Sequence, residues 1–160
     1  MQINSNKSIK MNIDKVLLGL IIVNALASIK GFGDRFFFDK YKFQIGGINR
    51  GEKIRMLTSG FLHVDYMHLI LNMYVLYVFA PAIIVNLGVV KFLIIYFGSL
   101  VAGSLLTLTY HKKKPYYSAV GASGAVAGVI FGSILLNPSM NLMIFPLPIA
   151  IPGYIFGVGY

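Results

Sequence analysis

The chain has 160 residues, of which 57% are hydrophobic and 12% are charged, and its formal net charge is +9. This balance is far from that of a soluble domain and indicates an integral membrane protein. The basic residues flank apolar segments, which suits anionic lipid head groups and argues against a nucleic-acid-binding face. The sequence contains no cysteine, which excludes disulfides, thiolate chemistry and cysteine-based metal sites.

The N-terminal part predicts a polar segment followed by a first transmembrane helix. Residues 1–15 are polar and basic and are expected at the membrane surface, and Val16 to Ile29 is apolar. That apolar stretch is short for a span, which needs about 20 residues, and its Ala25-Leu26-Ala27 ending also fits a cleaved signal peptide. We favour an uncleaved helix, since Met11 to Ile13 and Gly31-Phe32 can lengthen it.

A connector from Lys30 to Asp65 mixes charged with aromatic side chains. Loops of this length are usually functional or disordered, and the aromatic content argues against disorder. Aromatic rings are enriched at the depth of lipid head groups, so we expect a loop that lies in the membrane interface.

The remaining sequence predicts three more spans and the start of a fifth. The second span runs from about Met67 to Leu87, where Pro81 is expected to kink or end the helix, and the third runs from Phe92 to Tyr110. The fourth contains Ser123, and Ile151 to Tyr160 begins the fifth. The predicted fold class is an all-α membrane protein, a polytopic helical bundle of four spans plus the start of a fifth.

The fourth span carries one serine among glycines, in Gly121-Ala122-Ser123-Gly124. Glycines on both sides leave the backbone bare, so another chain can approach the hydroxyl closely. Gly124, Gly128 and Gly132 then follow one helical turn apart, a pattern that favours packing against a second helix. Each glycine inside a helix costs about 1 kcal/mol relative to alanine, so the stripe needs a partner. On this motif alone, a packing seam with an incidental serine is the simpler interpretation.

The second span carries His68 and Asn72, whose i, i+4 spacing places them on one helix face. They are either interhelical hydrogen-bond partners, worth about 0.6 kcal/mol each, or donors aimed at a common point, as an oxyanion hole requires. The spacing does not decide between these two roles.

Together the two motifs resemble a known family. Arg55-x-x-Thr58-x-x-Phe61-x-His63-x-x-x-x-His68-Leu69-x-x-Asn72-Met73, followed by Gly121-Ala122-Ser123-Gly124, is similar to the rhomboid family of intramembrane serine proteases. The resemblance covers the chain from roughly residue 55 to the end. It implies a rhomboid transmembrane domain over residues 16–160, incomplete at its C-terminus.

The resemblance assigns roles to individual residues. Ser123 matches the nucleophile, while His68 and Asn72 match the side chains that stabilise the oxyanion, with the Ser123 backbone N–H as a further donor. Flanking glycines and connector residues match supporting positions, namely Gly121, Gly124, Arg55 and His63. The implied enzyme is a serine endopeptidase that cleaves transmembrane-helix substrates by a Ser-His dyad.

The sequence departs from the family pattern in three places. Ile54 stands where members often carry Trp, and Ala127 stands where many have an aromatic ring. The family's general base is a histidine on a sixth helix, which these residues do not include, and His111 does not easily substitute, since it lies in a basic loop beside three lysines. We therefore interpret the sequence as the N-terminal part of a rhomboid. We expect a further helix that carries the base to pack on Gly124, Gly128 and Gly132.

These expectations define the functional hypotheses. The resemblance implies no metal or organic cofactor, transmembrane protein substrates and the lipid bilayer as partners, and no nucleic acid. The alternative is a non-catalytic rhomboid-like protein that binds transmembrane helices without cutting them. We expect a multi-pass protein of the bacterial cytoplasmic membrane.

Overall fold

The computed structural model describes residues 2–143, 150–153 and 155, and most of these residues are helical. The helices are α1 (Gln2–Gly33), α2 (Arg35–Tyr41), α3 (Ile45–Asn49), α4 (Arg55–Thr58), a 3₁₀ turn (Ser59–Phe61), α5 (Tyr66–Leu87), α6 (Val89–His111) and α7 (Ser123–Leu136). The strands are β1 (Phe43–Gln44), β2 (Ser118–Ala119), β3 (Asn141–Met143) and β4 (Ala150–Pro152). They pair antiparallel as β1 with β2 and β3 with β4.

Three helices in the described part of the chain are long and apolar enough to cross a membrane. They are Lys15–Gly33 within α1, and α5 and α6 over their whole lengths, which confirms apolar helices of sufficient length at the first three predicted spans. With 14 residues, α7 reaches only about 21 Å, less than the roughly 30 Å of a hydrocarbon core. The predicted fifth segment begins in β4 and otherwise lies mostly outside the described residues. The count of four spans plus a fifth is therefore not confirmed.

The connector is built from short helices, which differs from the loop that we expected. The side chain of Asp34 caps α2 by accepting a hydrogen bond from a backbone N–H of its first turn. The Arg55 Nη1 atom donates to the backbone oxygens of Asp39 and Lys42, at 2.8 and 3.0 Å. Helical backbone satisfies its own donors, and the guanidinium covers carbonyls at the end of α2 that the helix leaves without partners.

Helix α5 continues past Pro81 to Leu87, so the proline does not end the helix. Its N-terminus is capped by Asp65, whose Oδ1 accepts from the His68 backbone N–H at 2.7 Å. Gly88, with φ of +85°, makes the tight turn into α6. Positive φ is readily adopted only by glycine, so this residue allows α5 and α6 to pack as neighbours.

The glycine stripe of α7 already has a partner in this bundle. A Cβ atom added at Gly128 would lie 1.9 Å from the Ser99 Oγ of α6, and one at Gly124 would lie 3.7 Å from the Ser99 backbone oxygen. At Gly132 the added atom would lie 3.0 Å from Ile83 Cδ1 of α5. Helices α5 and α6 therefore already pack against this stripe, and the expectation that a further helix also packs there stays a prediction.

Candidate active site

Ser123 is the first residue of α7 and its side chain is exposed. It lines a cavity of about 160 Å³ at the end of the bundle where the connector lies. Polar groups in the wall are contributed by Ser59, Ser104 and Thr107, and apolar groups by Phe43 and Leu100. The serine hydroxyl is thus accessible beside a partly polar space instead of being enclosed in a packing seam.

Gly121 forms a turn before Ser123 that other residues cannot easily adopt. Its φ is +131°, and its N–H donates to the Ser59 backbone oxygen at 3.0 Å. A Cβ atom at this position would lie 2.7 Å from Cε1 of the His68 ring. Backbone conformation and the imidazole together therefore require a residue without a side chain here.

The structure brings His68 to the turn that precedes Ser123. The His68 ring lies against Gly121 and meets the His63 ring edge-on, with 4.9 Å between ring centroids. Its Nδ1 atom is buried and has no hydrogen-bond partner among the described residues. A buried imidazole nitrogen without a partner is costly, which is a frequent property of functional positions.

Asn72 is buried one turn further along α5, and its amide is directed at its own helix. The Nδ2 atom donates to the His68 backbone oxygen at 2.8 Å. An Asn amide carries two hydrogens, so one hydrogen is used in this bond and the second is left for another acceptor. The contact that the structure gives for Asn72 is thus with the first turn of α5 and not with Ser123.

His63 is fully buried between the first helix and the turn before Ser123. Its Nδ1 atom lies 2.8 Å from Ser28 Oγ of α1, and its Nε2 atom accepts from the Ala122 backbone N–H at 3.3 Å. Burial, reinforced by the nearby His68, lowers the pKa of His63 to about 4. The ring is therefore neutral at physiological pH, as its role as a hydrogen-bond acceptor requires.

Arg55 lies within the connector, and the contacts that the structure gives it are with connector residues. Its Nε atom pairs with the Glu52 carboxylate, so the partly buried guanidinium has a compensating charge. A Cβ atom at Gly47 would lie 2.8 Å from Arg55 Nε, which explains the small residue there. The arrangement suits a residue that holds the connector together.

Several residues at the site were not identified from the sequence. Ser28 had a usable signal, because Asn24 and Ser28 are polar residues at i, i+4 spacing inside an apolar span, where such residues commonly face the bundle interior. The amide of Asn24 indeed contacts the buried hydroxyl of Tyr96 at 3.2 Å. Ser59 does stand at i, i+4 spacing from both Arg55 and His63, but its bond to Gly121 uses the backbone oxygen, which a pattern of side chains cannot predict.

The polar groups in the cavity beside Ser123 include hydroxyls and backbone amides, and the His68 imidazole lies against the nearby Gly121. As the first residue of α7, Ser123 contributes one of the backbone N–H groups that lack an intrahelical partner, and a helix N-terminus favours negative charge. Among the residues that the structure describes, no group of three or more His, Cys, Asp or Glu side chains is placed to hold a metal ion. The arrangement can stabilise an anion that forms at the serine.

Comparisons with known proteins point to one family. Residues 50–159 match the model of the Rhomboid domain. The chain is 29% identical over 161 residues to RHOMBOID-like protein 12, mitochondrial, of Arabidopsis thaliana, covering 89% of this chain and 47% of that protein. It is 36% identical over 78 residues to Rhomboid-like protease 3 of Toxoplasma gondii, covering 49% of this chain and 28% of that protein. A Bacillus subtilis relative is 39% identical over 109 residues, covering 63% of this chain and 54% of the relative.

The chain spans about half or less of the length of these relatives. One relative is named as mitochondrial and another comes from a bacterium, so the comparisons give no support for a bacterial membrane over an organellar one. The apolar helices and the domain match support an integral membrane protein. Because the domain match covers more than half of the sequence, the chain belongs to the rhomboid family.

Proposed function

We propose that this chain supplies the nucleophile and the oxyanion-binding groups of an intramembrane serine endopeptidase. The observation that carries the proposal is the exposed hydroxyl of Ser123 on a glycine turn against which the His68 ring packs. The turn exposes the serine at a helix N-terminus, where developing negative charge is favoured. The proposed substrates are transmembrane protein helices, which reach the site from the lipid bilayer.

In the proposed reaction, Ser123 Oγ attacks the carbonyl carbon of a peptide bond and gives its proton to a histidine base. Collapse of the tetrahedral intermediate transfers that proton to the leaving amine and leaves an acyl-enzyme. Water then attacks the acyl carbon, gives one proton back through the base to Ser123, and releases the carboxylic acid. In both steps the negative oxygen is stabilised by His68, Asn72 and the Ser123 backbone N–H.

The base is proposed to come from outside these 160 residues. The sequence contains three histidines. Both ring nitrogens of His63 are engaged, by Ser28 and by Ala122. His68 is assigned to the oxyanion, and the His111 ring stacks on Tyr117 with 3.7 Å between centroids. A serine hydroxyl without a base is a weak nucleophile, so the 160-residue chain alone should be inactive.

The test compares the 160-residue chain with the protein translated from the complete coding sequence, both in proteoliposomes. The complete protein should cut a model transmembrane substrate and label with a fluorophosphonate, and Ser123→Ala should abolish both reactions. Ser118→Ala removes another exposed serine from β2 and should change neither. The short chain should show neither reaction. Labelling of the short chain that depends on Ser123 would show that it contains its own base.

The oxyanion assignment has its own test in the complete protein. His68→Ala and Asn72→Ala should each lower kcat, on a scale of about 10²–10³ for the loss of one such donor. Normal turnover by both folded variants would assign these residues to packing. A complete protein that binds the model substrate without cutting it and without labelling would instead be a non-catalytic helix-binding member.

A further inference from the structure

Ser28 is a buried hydroxyl in the first membrane helix, and it is connected through one imidazole to the turn that carries Ser123. It lies in α1, while the nucleophile is at the start of α7. The Ser28 Oγ atom donates to the Phe61 backbone oxygen at 3.0 Å and lies 2.8 Å from His63 Nδ1. Both Ser28 and His63 are 0% exposed, so water does not compete for these bonds.

The hydrogen bonds that join Phe61, Ser28, His63 and Ala122 form a series, and the direction of each bond follows from one fixed donor. The Ala122 backbone N–H can only donate, and it points at His63 Nε2 at 3.3 Å. The Nε2 atom must therefore offer a lone pair, and the proton of the neutral ring must be on Nδ1. The Nδ1–H group then donates to Ser28 Oγ, and the hydroxyl hydrogen of Ser28 is left to donate to Phe61. Each hydrogen bond in this series thus has a defined donor and a defined acceptor.

The other tautomer of His63 is incompatible with these hydrogen-bond directions. With the proton on Nε2, the ring would present a second donor to the Ala122 N–H, and the bond to the turn would be lost. Ser28 prevents this arrangement because its own hydrogen is committed to the Phe61 carbonyl, so its oxygen accepts from Nδ1–H. The tautomer of a histidine is commonly set by the partner of its other nitrogen. Since burial lowers the pKa of His63 to about 4, the ring is neutral and a tautomer has to be selected.

We propose that Ser28 is a positioning residue for Ser123, because it selects the His63 tautomer that holds the Ala122 N–H and thereby fixes the orientation of the nucleophile turn. The proposal rests on the proposed function only in naming Ser123 as the nucleophile. Ala122 directly precedes Ser123 in the chain, so a rotation of the Gly121–Ala122 turn moves the serine hydroxyl. Ser28 thus acts on the site from helix α1 although its own side chain is fully buried.

The first arm of the test observes the tautomer directly and does not depend on proteolysis. The 160-residue chain, with ¹⁵N-labelled histidine and alanine and in detergent micelles, should show His63 protonated at Nδ1 and unprotonated at Nε2. Ser28→Ala should change the imidazole shifts and the Ala122 amide shift. Ser133→Ala is the matched control, since it removes another fully buried serine hydroxyl that donates to backbone oxygens, and it should change neither signal. An Nε2-protonated His63 in the unmodified chain would overturn the proposal.

The second arm measures the complete protein. Ser28→Ala should lower kcat by about threefold to tenfold, as expected for one lost hydrogen bond, with KM unchanged and the folded fraction retained. Ser28→Thr keeps the hydroxyl and should recover part of the rate, whereas Ser133→Ala should leave kcat unchanged. An equal kcat for Ser28→Ala and the unmodified protein would contradict the positioning role. An unmodified protein that shows the expected tautomer but no reaction at Ser123 would instead contradict the proposed function.

Discussion

The body of α7 and the turn that precedes it are held in different ways. Along the body, contact with α6 depends on missing side chains, since a Cβ atom at Gly128 would overlap Ser99. At the turn, position depends on two hydrogen bonds, from Gly121 to Ser59 and from Ala122 to His63. Close packing sets how near two helices lie, but hydrogen bonds set the orientation of particular atoms. The turn before Ser123 is therefore oriented by the connector, while α7 is placed by the bundle.

The largest expected effect on stability comes from adding a side chain at Gly128, in the body of α7. Gly128→Ala should destabilise the folded protein by about 3 kcal/mol, the upper end for overpacking, because the added Cβ atom would lie 1.9 Å from Ser99 Oγ. The measurement is the free energy of unfolding in mixed detergent micelles. Ser99→Gly should restore much of that loss in the double variant. Gly98→Ala is the matched control on α6, where an added Cβ atom meets nothing within 4 Å.

Replacing the glycine in the turn before Ser123 should destabilise the protein for a different reason. Gly121→Ala should cost about 2 kcal/mol through backbone strain at φ of +131°, and it should also displace the His68 ring. Combining it with His68→Ala removes the steric overlap but not the strain, so stability should be recovered only in part. Full recovery would mean that the ring contact alone matters at this position.

Lowering the pH should weaken the contacts of the turn before Ser123 and not those along the body of α7. Burial lowers the pKa of His63 from 6.5 to about 4. Between these values the unfolded chain binds a proton that the folded chain does not, so stability should fall as the pH decreases from 6.5 to 4. The slope is at most about 1.4 kcal/mol per pH unit. His63→Gln should remove that part of the slope measured in micelles, while His111→Gln should keep it. An unchanged slope in His63→Gln would exclude His63 as its source.

The smallest effect is expected where α7 meets α5. The Ser133 hydroxyl donates to the Phe79 backbone oxygen at 2.9 Å and to the Val129 backbone oxygen at 2.8 Å. Ser133→Ala should cost only about 0.6 kcal/mol, the average for interhelical hydrogen bonds in membranes. A loss of more than 2 kcal/mol in the same unfolding measurement would show that polar contacts, and not only small residues, hold the body of α7.

The sequence predicted best those features that depend on hydrophobic length. The spans now seen as Lys15–Gly33, α5 and α6 were identified from long, predominantly apolar segments. The sequence also indicated that the glycine stripe needs a close partner. It did not identify the partner helix, because spacing along one helix says nothing about the position of its neighbour. The Ser28–His63–Ala122 contacts were missed because two of them join residues 35 and 59 positions apart. The folding of the connector into short helices was missed because aromatic content predicts depth and not backbone conformation.

The pairing of β1 with β2 imposes an order on how the site is assembled during synthesis. Strand β1 precedes α5 and α6, whereas β2 follows them, and the pair aligns Phe43 with Ala119. Because the chain is made from its N-terminus, the connector exists before the segment to which it binds. Ser28 and His63 can meet once the first helix and the connector are present, but the Ala122 N–H reaches them only after two further membrane helices. The serine hydroxyl therefore becomes oriented only after α5 and α6 have been synthesised.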